Sequence, residues 1–314
     1  MTVVGQAELV ATARRLQVDA WTAEVVGAMR KCGIRPILLR GPVIARWLYA
    51  EDPARRSYGD VDLIVSPADT GPARVLLEAL SFMAPPYSRL EAHTLHALPY
   101  ERESDGANVD LHRTLHGLQD VPCERVWQIV SRSTDMIRVG NLDVEVPCLS
   151  VRLLHLVLHL KRSDDASSRV WQDLERGLNQ SSTDEWRAAV AVARQLGAEN
   201  EMAVRLRRLA QGSKLADQLG LVHHGSLYYR LGAAIESSQA PRSVYSLWAL
   251  TALPDTRSRL AYVRGKLVPD KEVLLEQSTL ARRGHIGFAG ALHSARVLTQ
   301  LPAALIAWAR HYRE

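Results

Sequence analysis

Apolar positions along the chain follow different periods before and after about residue 148. From Gln6 to Met29 they recur every three or four residues, which predicts one long helix ending near Gly33. Short apolar runs then alternate with helical spacing as far as Leu80. This pattern predicts a mixed sheet packed against helices in the first part of the chain.

Two further pairs of strands are predicted before that boundary. Apolar runs at 95–100 and 107–111 flank a polar turn, which indicates two neighbouring strands. The segment 136–146 contains Gly140-Asn141, a favoured pair for a two-residue turn, and is predicted to form a hairpin.

Helical spacing continues from there almost to the end of the chain. Ser150 is predicted to cap the first of these helices, and Ser182 or Thr183, followed by Glu185, is predicted to cap a later one. A long apolar face at 287–312 predicts a final helix packed on the body of the protein. The expected fold class is therefore α/β, of the α+β kind.

The expected domains follow from the same change of period. Residues 1–148 are predicted to form a mixed-sheet domain, and residues 149–314 an all-helical domain. We expect the active site in the cleft between them.

A strand, a turn and a helix are predicted between Ile34 and Leu48. Arg40, Gly41 and Pro42 form the turn. Proline suits the first helical position, where its missing N–H would have no partner, and glycine lets the backbone approach a ligand closely. Free amides at such a helix start can accept phosphate oxygens.

Acidic residues on the next strands are the candidate metal ligands. Asp60 and Asp62 lie two residues apart in an apolar run, so their side chains are expected on one face of a strand. Asp110 is a single acid in another apolar run. Carboxylates so placed can hold a hard divalent cation, although an Asp-x-Asp pair also occurs on half-exposed edge strands for solubility.

These residues carry a resemblance to a known family. The chain resembles the uncharacterised bacterial nucleotidyltransferases of the polymerase-β-like nucleotidyltransferase superfamily. The resemblance is clear over about residues 30 to 190, in Leu38-Leu39-Arg40-Gly41-Pro42, Arg56, Gly59-Asp60-Val61-Asp62-Leu63, Val109-Asp110-Leu111-His112, Leu154-His155-Leu156, His159, Trp171-Gln172-Asp173-Leu174 and Trp186.

The resemblance implies a mixed-sheet nucleotidyltransferase core that binds a nucleoside triphosphate, with ATP the expected nucleotide, and Mg²⁺ or Mn²⁺. Asp60, Asp62 and Asp110 would be the catalytic and metal-binding carboxylates, with Asp110 near the attacking hydroxyl or amine. Arg40, Gly41, Arg56 and Gly59 would bind the phosphates of the nucleotide.

Two departures from the family pattern concern the turn. Relatives usually have Gly-Ser or Gly-Gly after the first strand, so Pro42 removes a hydroxyl and an amide donor. Many relatives have lysine where this chain has Arg40, which keeps the charge but changes a point donor into a planar fork.

Several other candidate residues have more than one interpretation. Arg56 and Gly59 match the family pattern: Arg56 can clamp a phosphate, pair with a site carboxylate or fix a loop through an ion pair. His112, on the same strand face as Asp110, can orient a carboxylate or contact phosphate. Lys161 can reach the triphosphate or stay a solvated charge at a helix end.

The remaining polar residues of the helical part are predicted to be structural. Asp173 is expected to pair with Arg169 or Arg176. His155 and His159 have a metal-compatible spacing, but no glutamate lies beside His155 as in zinc proteases, so packed or hydrogen-bonded core histidines are expected.

Composition narrows the classes of function. The chain has 314 residues, a formal charge of +5 and an aromatic content of 6%. A positive balance favours phosphorylated partners, but scattered basic residues with few aromatics argue against a dedicated single-strand nucleic-acid binder. Three distant cysteines give no disulfide or zinc pattern. Without an apolar leader or a segment long enough to span a bilayer, we expect a cytoplasmic protein.

The expected function is transfer of a nucleoside monophosphate from a triphosphate to a hydroxyl or amine, with release of pyrophosphate. The acceptor stays open among a small molecule, a peptide or a protein, with an RNA end less favoured. One alternative is a kinase that transfers the terminal phosphoryl group. Another, motivated by Pro42, is a non-catalytic nucleotide-sensing or partner-binding module.

Overall fold

The computed structural model describes residues 6–84, 96–118, 121–160, 164–222, 256–268, 271, 274–275 and 278–313, which form two compact units. The first unit extends to residue 222. Its elements are α1 (Gln6–Lys31), β1 (Ile37–Leu38), α2 (Pro42–Leu48), β2 (Val61–Ile64), α3 (Thr70–Ala79), β3 (Ala97–Arg102), β4 (Ala107–His112), α4 (Cys123–Val130), β5 (Thr134–Val139), β6 (Leu142–Pro147), α5 (Leu149–His159), α6 (Arg169–Gln180), α7 (Thr183–Gln195), α8 (Glu199–Leu206) and α9 (Ala210–Gln218).

Strands β1 to β4 form one sheet in the order β1-β2-β4-β3. The central pair, β2 and β4, is parallel, whereas β1 and β3 run antiparallel to their neighbours. All four residues of β2 are buried. The predicted mixed sheet is therefore confirmed, and the strand that carries Asp62 is buried along its whole length.

The strand before the turn is shorter than the apolar run suggests. Only Ile37 and Leu38 pair with β2, opposite Ile64 and Leu63. The next residue, Leu39, still donates its backbone N–H to the Asp62 carbonyl oxygen at 2.9 Å. This last bond brings the start of the turn alongside the beginning of β2.

Several predicted boundaries are confirmed. Helix α1 ends before Gly33, which has φ 75°, a conformation that favours glycine. The hairpin of β5 and β6 turns at Gly140, which has φ 57°. At the start of α7, Ser182 and Glu185 form a reciprocal capping box.

The predicted N-cap of α5 is wrong. The helix begins at Leu149 with Cys148 at the cap position, so Ser150 lies inside the first turn. Its hydroxyl contacts the Cys148 sulfur at 3.3 Å instead of capping backbone N–H groups. Strand β6 runs to Pro147, and the helix begins directly after the intervening cysteine.

One hydrophobic core spans the sequence position at which the period changes. Ile37 and Ile44 from the first part share it with Leu154 and Trp186 from the helical part, and all four side chains are buried. The chain does become helical after residue 147. The division into domains 1–148 and 149–314 stays a prediction.

The second unit contains α10 (Thr256–Leu267), α11 (Thr279–Arg282) and α12 (Ile286–Arg313). Leu274, Ala281 and Ala289 form its buried apolar cluster. The predicted final helix is confirmed by α12. Among the described residues, no helix has both the length and the apolar character needed to cross a membrane.

Candidate functional site

The site is centred on the two parallel strands of the sheet. Asp62 on β2 and Asp110 on β4 are direct partners in the strand register. Paired residues on neighbouring strands project from the same face, so both carboxylates lie on one side of the sheet. Val61 and Leu63, which alternate with Asp62, are fully buried on the opposite face.

His112 completes this cluster. It follows Asp110 by two residues on β4, so it lies on the same face. Its Nε2 lies 2.9 Å from Asp62 Oδ1, and its Nδ1 lies 3.4 Å from the Thr114 carbonyl oxygen. The imidazole is buried, with 2% exposure. The predicted contact between His112 and a carboxylate is present, and it fixes the orientation of the Asp62 side chain.

The three side chains form a group that fits a divalent cation. One ligand atom from each of Asp62, Asp110 and His112 lies within 4.8 Å of the other two. Two carboxylates suit Mg²⁺ or Mn²⁺, and an imidazole suits Mn²⁺ better than Mg²⁺ because nitrogen is the softer donor. His112 as a possible metal ligand is absent from the sequence interpretation, although its position two residues after an acid on a strand is a readable signal.

Asp60 lies immediately before β2. It does not belong to the group of Asp62, Asp110 and His112, whose ligand atoms lie within 4.8 Å of one another. Burial and, next, the negative charge of Asp62 raise the pKa of its carboxyl group. The two side chains are therefore close enough to interact electrostatically. The assignment of Asp60 as a metal ligand stays a prediction.

The paired carboxyl groups have opposite protonation behaviour. Burial disfavours ionisation of Asp62, but the hydrogen bond with His112, together with the charges of His112 and Arg40, outweighs it and lowers the pKa to about 2. Burial and the charge of Asp62 raise the pKa of Asp110 to about 6. Asp62 is thus held ionised. The pKa of its neighbour Asp110 is close to neutral pH, so this carboxyl group can accept or release a proton.

Arg40 provides positive charge at this cluster. Its guanidinium lowers the pKa of Asp60, Asp62 and Asp110, which places it near all three. Within the described part of the chain, it makes no hydrogen bond or ion pair. An unpaired cation beside a candidate metal site is suited to binding phosphate oxygens.

Gly41 allows the turn to form beside the acidic strand. Its φ of 56° disfavours residues with a side chain, and a Cβ atom there would lie 3.5 Å from the Asp60 carbonyl oxygen and the Tyr58 ring. Pro42 is the first residue of α2, as predicted. The roles of Arg40 and Gly41 in nucleotide binding stay predictions.

Arg56 forms a buried ion pair with Asp173. Its Nη2 donates to Asp173 Oδ2 at 2.8 Å and its Nε to Oδ1 at 2.9 Å, while Tyr49 donates to Oδ1 at 3.0 Å. The expected pairing of Asp173 with Arg169 or Arg176 is therefore wrong, because α6 packs against the segment that precedes β2. This ion pair agrees with the interpretation in which Arg56 fixes a loop. The interpretation in which Arg56 binds a phosphate stays a prediction.

The last two predicted nucleotide-binding residues have no established contact with the cluster. The Gly59 carbonyl oxygen accepts a hydrogen bond from Arg14 Nη2 at 3.1 Å, and a Cβ at this glycine would meet no atom within 4 Å. Lys161 lies outside the described residues. The roles of both residues stay predictions.

Histidines from β4, its flanking segments and α5 form a chain of neighbouring rings. Ring centroids are 5.5 Å apart for His96 and His112, 5.1 Å for His96 and His116, 5.3 Å for His116 and His159, and 6.0 Å for His155 and His159. Burial and the charge of Arg40 lower the pKa of His155 well below its usual value. Sequence reasoning recognised His155 and His159 as core residues but did not connect them to the strand that carries the site.

A mixed four-stranded sheet with two carboxylates on its central parallel strands, surrounded by helices, defines a nucleotidyltransferase-like α/β protein. Residues 5–211 match the family model described as "Uncharacterised nucleotidyltransferase", so the chain belongs to that family. The family resemblance inferred from the motifs is thereby confirmed.

Other comparisons add little. A search of curated proteins found no match. A crystal structure of an antigenic nucleotidyltransferase-like protein from Paracoccidioides brasiliensis is similar over 68% of this chain and 95% of that chain, with 15% identity and a TM-score of 0.37. A likeness at this level carries no argument about activity.

Proposed function

We propose that the protein is a metal-dependent nucleotidyltransferase that moves a nucleoside monophosphate from a triphosphate to a hydroxyl or amine and releases pyrophosphate. The acceptor is a small molecule, a peptide or a protein. ATP is the expected nucleotide, and Mg²⁺ or Mn²⁺ the expected cation.

The observation that carries the proposal is the pairing of Asp62 with Asp110 beside His112. Two carboxylates that share a partly dry site repel each other, as the raised pKa of Asp110 reflects. A divalent cation relieves this repulsion, and the donor set of two carboxylates and an imidazole fits one. Asp62, Asp110 and His112 would hold the cation, with Asp60 as a further ligand.

The bound cation would supply charge neutralisation of the triphosphate and polarisation of its oxygens. The protein's own residues supply positioning and proton transfer. Before the cation binds, His112 keeps the Asp62 carboxylate oriented through the 2.9 Å contact. Asp110 would take the proton of the attacking hydroxyl or amine on a carboxylate oxygen that does not hold the cation.

Arg40 is proposed to bind the nucleotide phosphates. Its charge already acts on the three carboxylates, so a phosphate bound to it would lie next to the cation. Electrostatic stabilisation of this kind provides most of the catalysis in phosphoryl chemistry, because little covalent work is needed from the protein.

The test uses ATP labelled in separate experiments on the α- and the γ-phosphate. The purified chain is incubated with each label, Mg²⁺ or Mn²⁺, and a pool of small metabolites and peptides. The proposal predicts transfer of the α-label with release of pyrophosphate, and loss of this transfer in Asp62→Asn. Transfer of the γ-label with release of ADP would identify a kinase instead. Tight nucleotide binding with neither transfer would favour a nucleotide-sensing module.

A further inference from the structure

A small pocket lies beside Arg40, between α2 and α5. Its polar lining comes from Arg40, Arg152, His155, His159 and Asp173, and Trp47 contributes an aromatic wall. The enclosed volume is only about 10 Å³. This is enough for a single water, or for one oxygen atom of a group that enters from outside.

Two buried nitrogen atoms of this lining have no hydrogen-bond partner in the described part of the chain. They are Nε of Arg152 and Nε2 of His155. The His155 side chain is almost completely buried, with 4% exposure. Buried donors are nearly always paired in folded proteins, so unpaired nitrogens on two residues that line one pocket indicate a missing acceptor.

The charges around the pocket favour an anionic acceptor. The carboxylate of Asp173 is already neutralised by Arg56, and the Arg152 guanidinium is paired with Asp135. Arg40 makes no ion pair or side-chain hydrogen bond among the described residues, so its guanidinium N–H groups are available to an anion. His155 is uncharged at neutral pH because burial lowers its pKa, so it serves as a neutral donor.

We propose that this pocket receives one oxygen atom of an oxyanion, a phosphate or carboxylate group bound at its mouth, with Arg40 supplying the charge and Arg152 Nε and His155 Nε2 donating hydrogen bonds. His155 holds no metal in this scheme. Arg152 is held in place by its stacking on Trp47, where the guanidinium carbon lies 5.1 Å from the ring centre, and by its ion pair with Asp135.

Arg40 connects the pocket with the carboxylate cluster. Its charge affects the pKa of Asp62 and also that of His155. An oxyanion bound to Arg40 at the pocket would therefore be within electrostatic reach of the proposed reaction site. The oxyanion belongs either to the nucleotide's phosphate chain or to an acidic acceptor, and this part of the inference rests on the proposed function.

The test is a calorimetric titration of the full chain with inorganic phosphate. A metal chelator is present throughout. The wild type is compared with His155→Leu, which removes the donor but keeps an apolar side chain, and with Arg152→Leu. We expect each substitution to weaken phosphate binding about tenfold or more, since charge-assisted hydrogen bonds are lost. His155→Gln, which keeps a neutral donor, should retain more of the affinity than His155→Leu.

Matched controls come from residues that do not line the pocket. Arg187 on α7 is exposed and His285 beside α12 is exposed, so Arg187→Leu and His285→Leu should bind phosphate like the wild type. Because His155 is buried, its variants are first checked by thermal melting. If His155→Leu does not fold, phosphate affinity is compared between the wild type and Arg152→Leu, because Arg152 is less buried than His155.

A second titration identifies the source of the oxyanion. If a non-hydrolysable ATP analogue with Mg²⁺ displaces the phosphate, the pocket holds part of the nucleotide. If phosphate binds equally well to the nucleotide complex, the pocket holds the acceptor, which is then an acidic molecule. Both results support the pocket.

The absence of phosphate binding to the folded wild type would overturn the proposal, and so would unchanged binding in both leucine variants at the two lining positions. Neither failure would affect the proposed function, which is tested by Asp62→Asn. This variant should lose nucleotidyl transfer and still bind phosphate in the pocket.

Discussion

Asp62 and Asp110 occupy paired positions on parallel strands, and their carboxyl groups have pKa values shifted in opposite directions. The pKa of Asp62 is lowered to about 2 and that of Asp110 is raised to about 6. Burial acts on both, but only Asp62 has the 2.9 Å contact with His112 that compensates for it. The pair therefore combines a carboxylate that stays charged with a group that can take up a proton.

The first prediction concerns the stability of the metal-free protein against pH. Asp110 has a folded-state pKa of about 6 against an ordinary value of 3.8, so the folded state binds more protons than the unfolded state between these values. Its contribution to the free energy of unfolding should therefore decrease as the pH rises from about 4 to about 7. Urea unfolding at several pH values, with a chelator present, measures this decrease.

Asp110→Asn is the comparison for this prediction. The amide does not titrate, so the variant should lose less stability over the same pH interval than the wild type. If the free energy of unfolding changed with pH in the same way for both proteins, the raised pKa of Asp110 in the folded state would be contradicted.

The second prediction separates chemistry from binding at the same residue. Asp110→Ala should reduce nucleotidyl transfer by at least about a hundredfold, the scale of a lost general base, with a smaller effect on nucleotide affinity. Single-turnover rates and nucleotide titrations measure the two quantities. Full transfer combined with a large loss of affinity would reassign Asp110 to nucleotide binding.

The third prediction concerns the turn before α2. Arg40→Ala should weaken triphosphate binding by about 1–3 kcal/mol, the scale of a lost charge-assisted hydrogen bond. Pro42→Ser should be neutral or mildly strengthening, because it restores an N–H and adds a hydroxyl at a helix start. The exposed Arg55 is the control, and Arg55→Ala should bind nucleotide normally. Unchanged affinity in Arg40→Ala would place the triphosphate elsewhere.

The fourth prediction concerns the buried pair of Arg56 and Asp173, whose side chains are 8% and 1% exposed. Asp173→Asn leaves the guanidinium buried without its counter-charge and should lower the free energy of unfolding by about 3–5 kcal/mol. Urea unfolding checks this value. In a variant that remains folded, nucleotide affinity tests the other interpretation of Arg56, since a phosphate clamp would lose affinity in Arg56→Lys and a loop-fixing pair would not.

Local patterns predicted much of the fold. The long α1, the hairpin at Gly140 and the capping box at Ser182 depend on residues close in sequence, and all three are present. The cap of α5 was misplaced because a serine in the first turn of a helix has the same local signature as a capping serine. The strand before Arg40 was overestimated because only two of its apolar residues find partners in the sheet.

Long-range partners were the harder part of the site. The alternation of strand residues placed Asp110 and His112 on one face, but the contact with Asp62 depends on strands β2 and β4 being parallel neighbours. No short sequence pattern indicates that β2 and β4 are neighbours in the sheet. The same limit applies to Asp173, whose partner is 117 positions away in the sequence. The two donors in the pocket beside Arg40 became visible only once α2 and α5 were packed together.

The most direct test of the metal-dependent site is a calorimetric titration with a non-hydrolysable ATP analogue, with and without Mg²⁺ or Mn²⁺. Wild type is compared with Asp60→Asn, Asp62→Asn and a control, Asp143→Asn, whose carboxylate is exposed and paired with Arg138. We expect the cation to strengthen nucleotide binding of the wild type and the control by about tenfold or more, and to have little effect on Asp62→Asn and Asp60→Asn. All variants should remain folded. Full cation-dependent binding by folded Asp62→Asn would contradict the account.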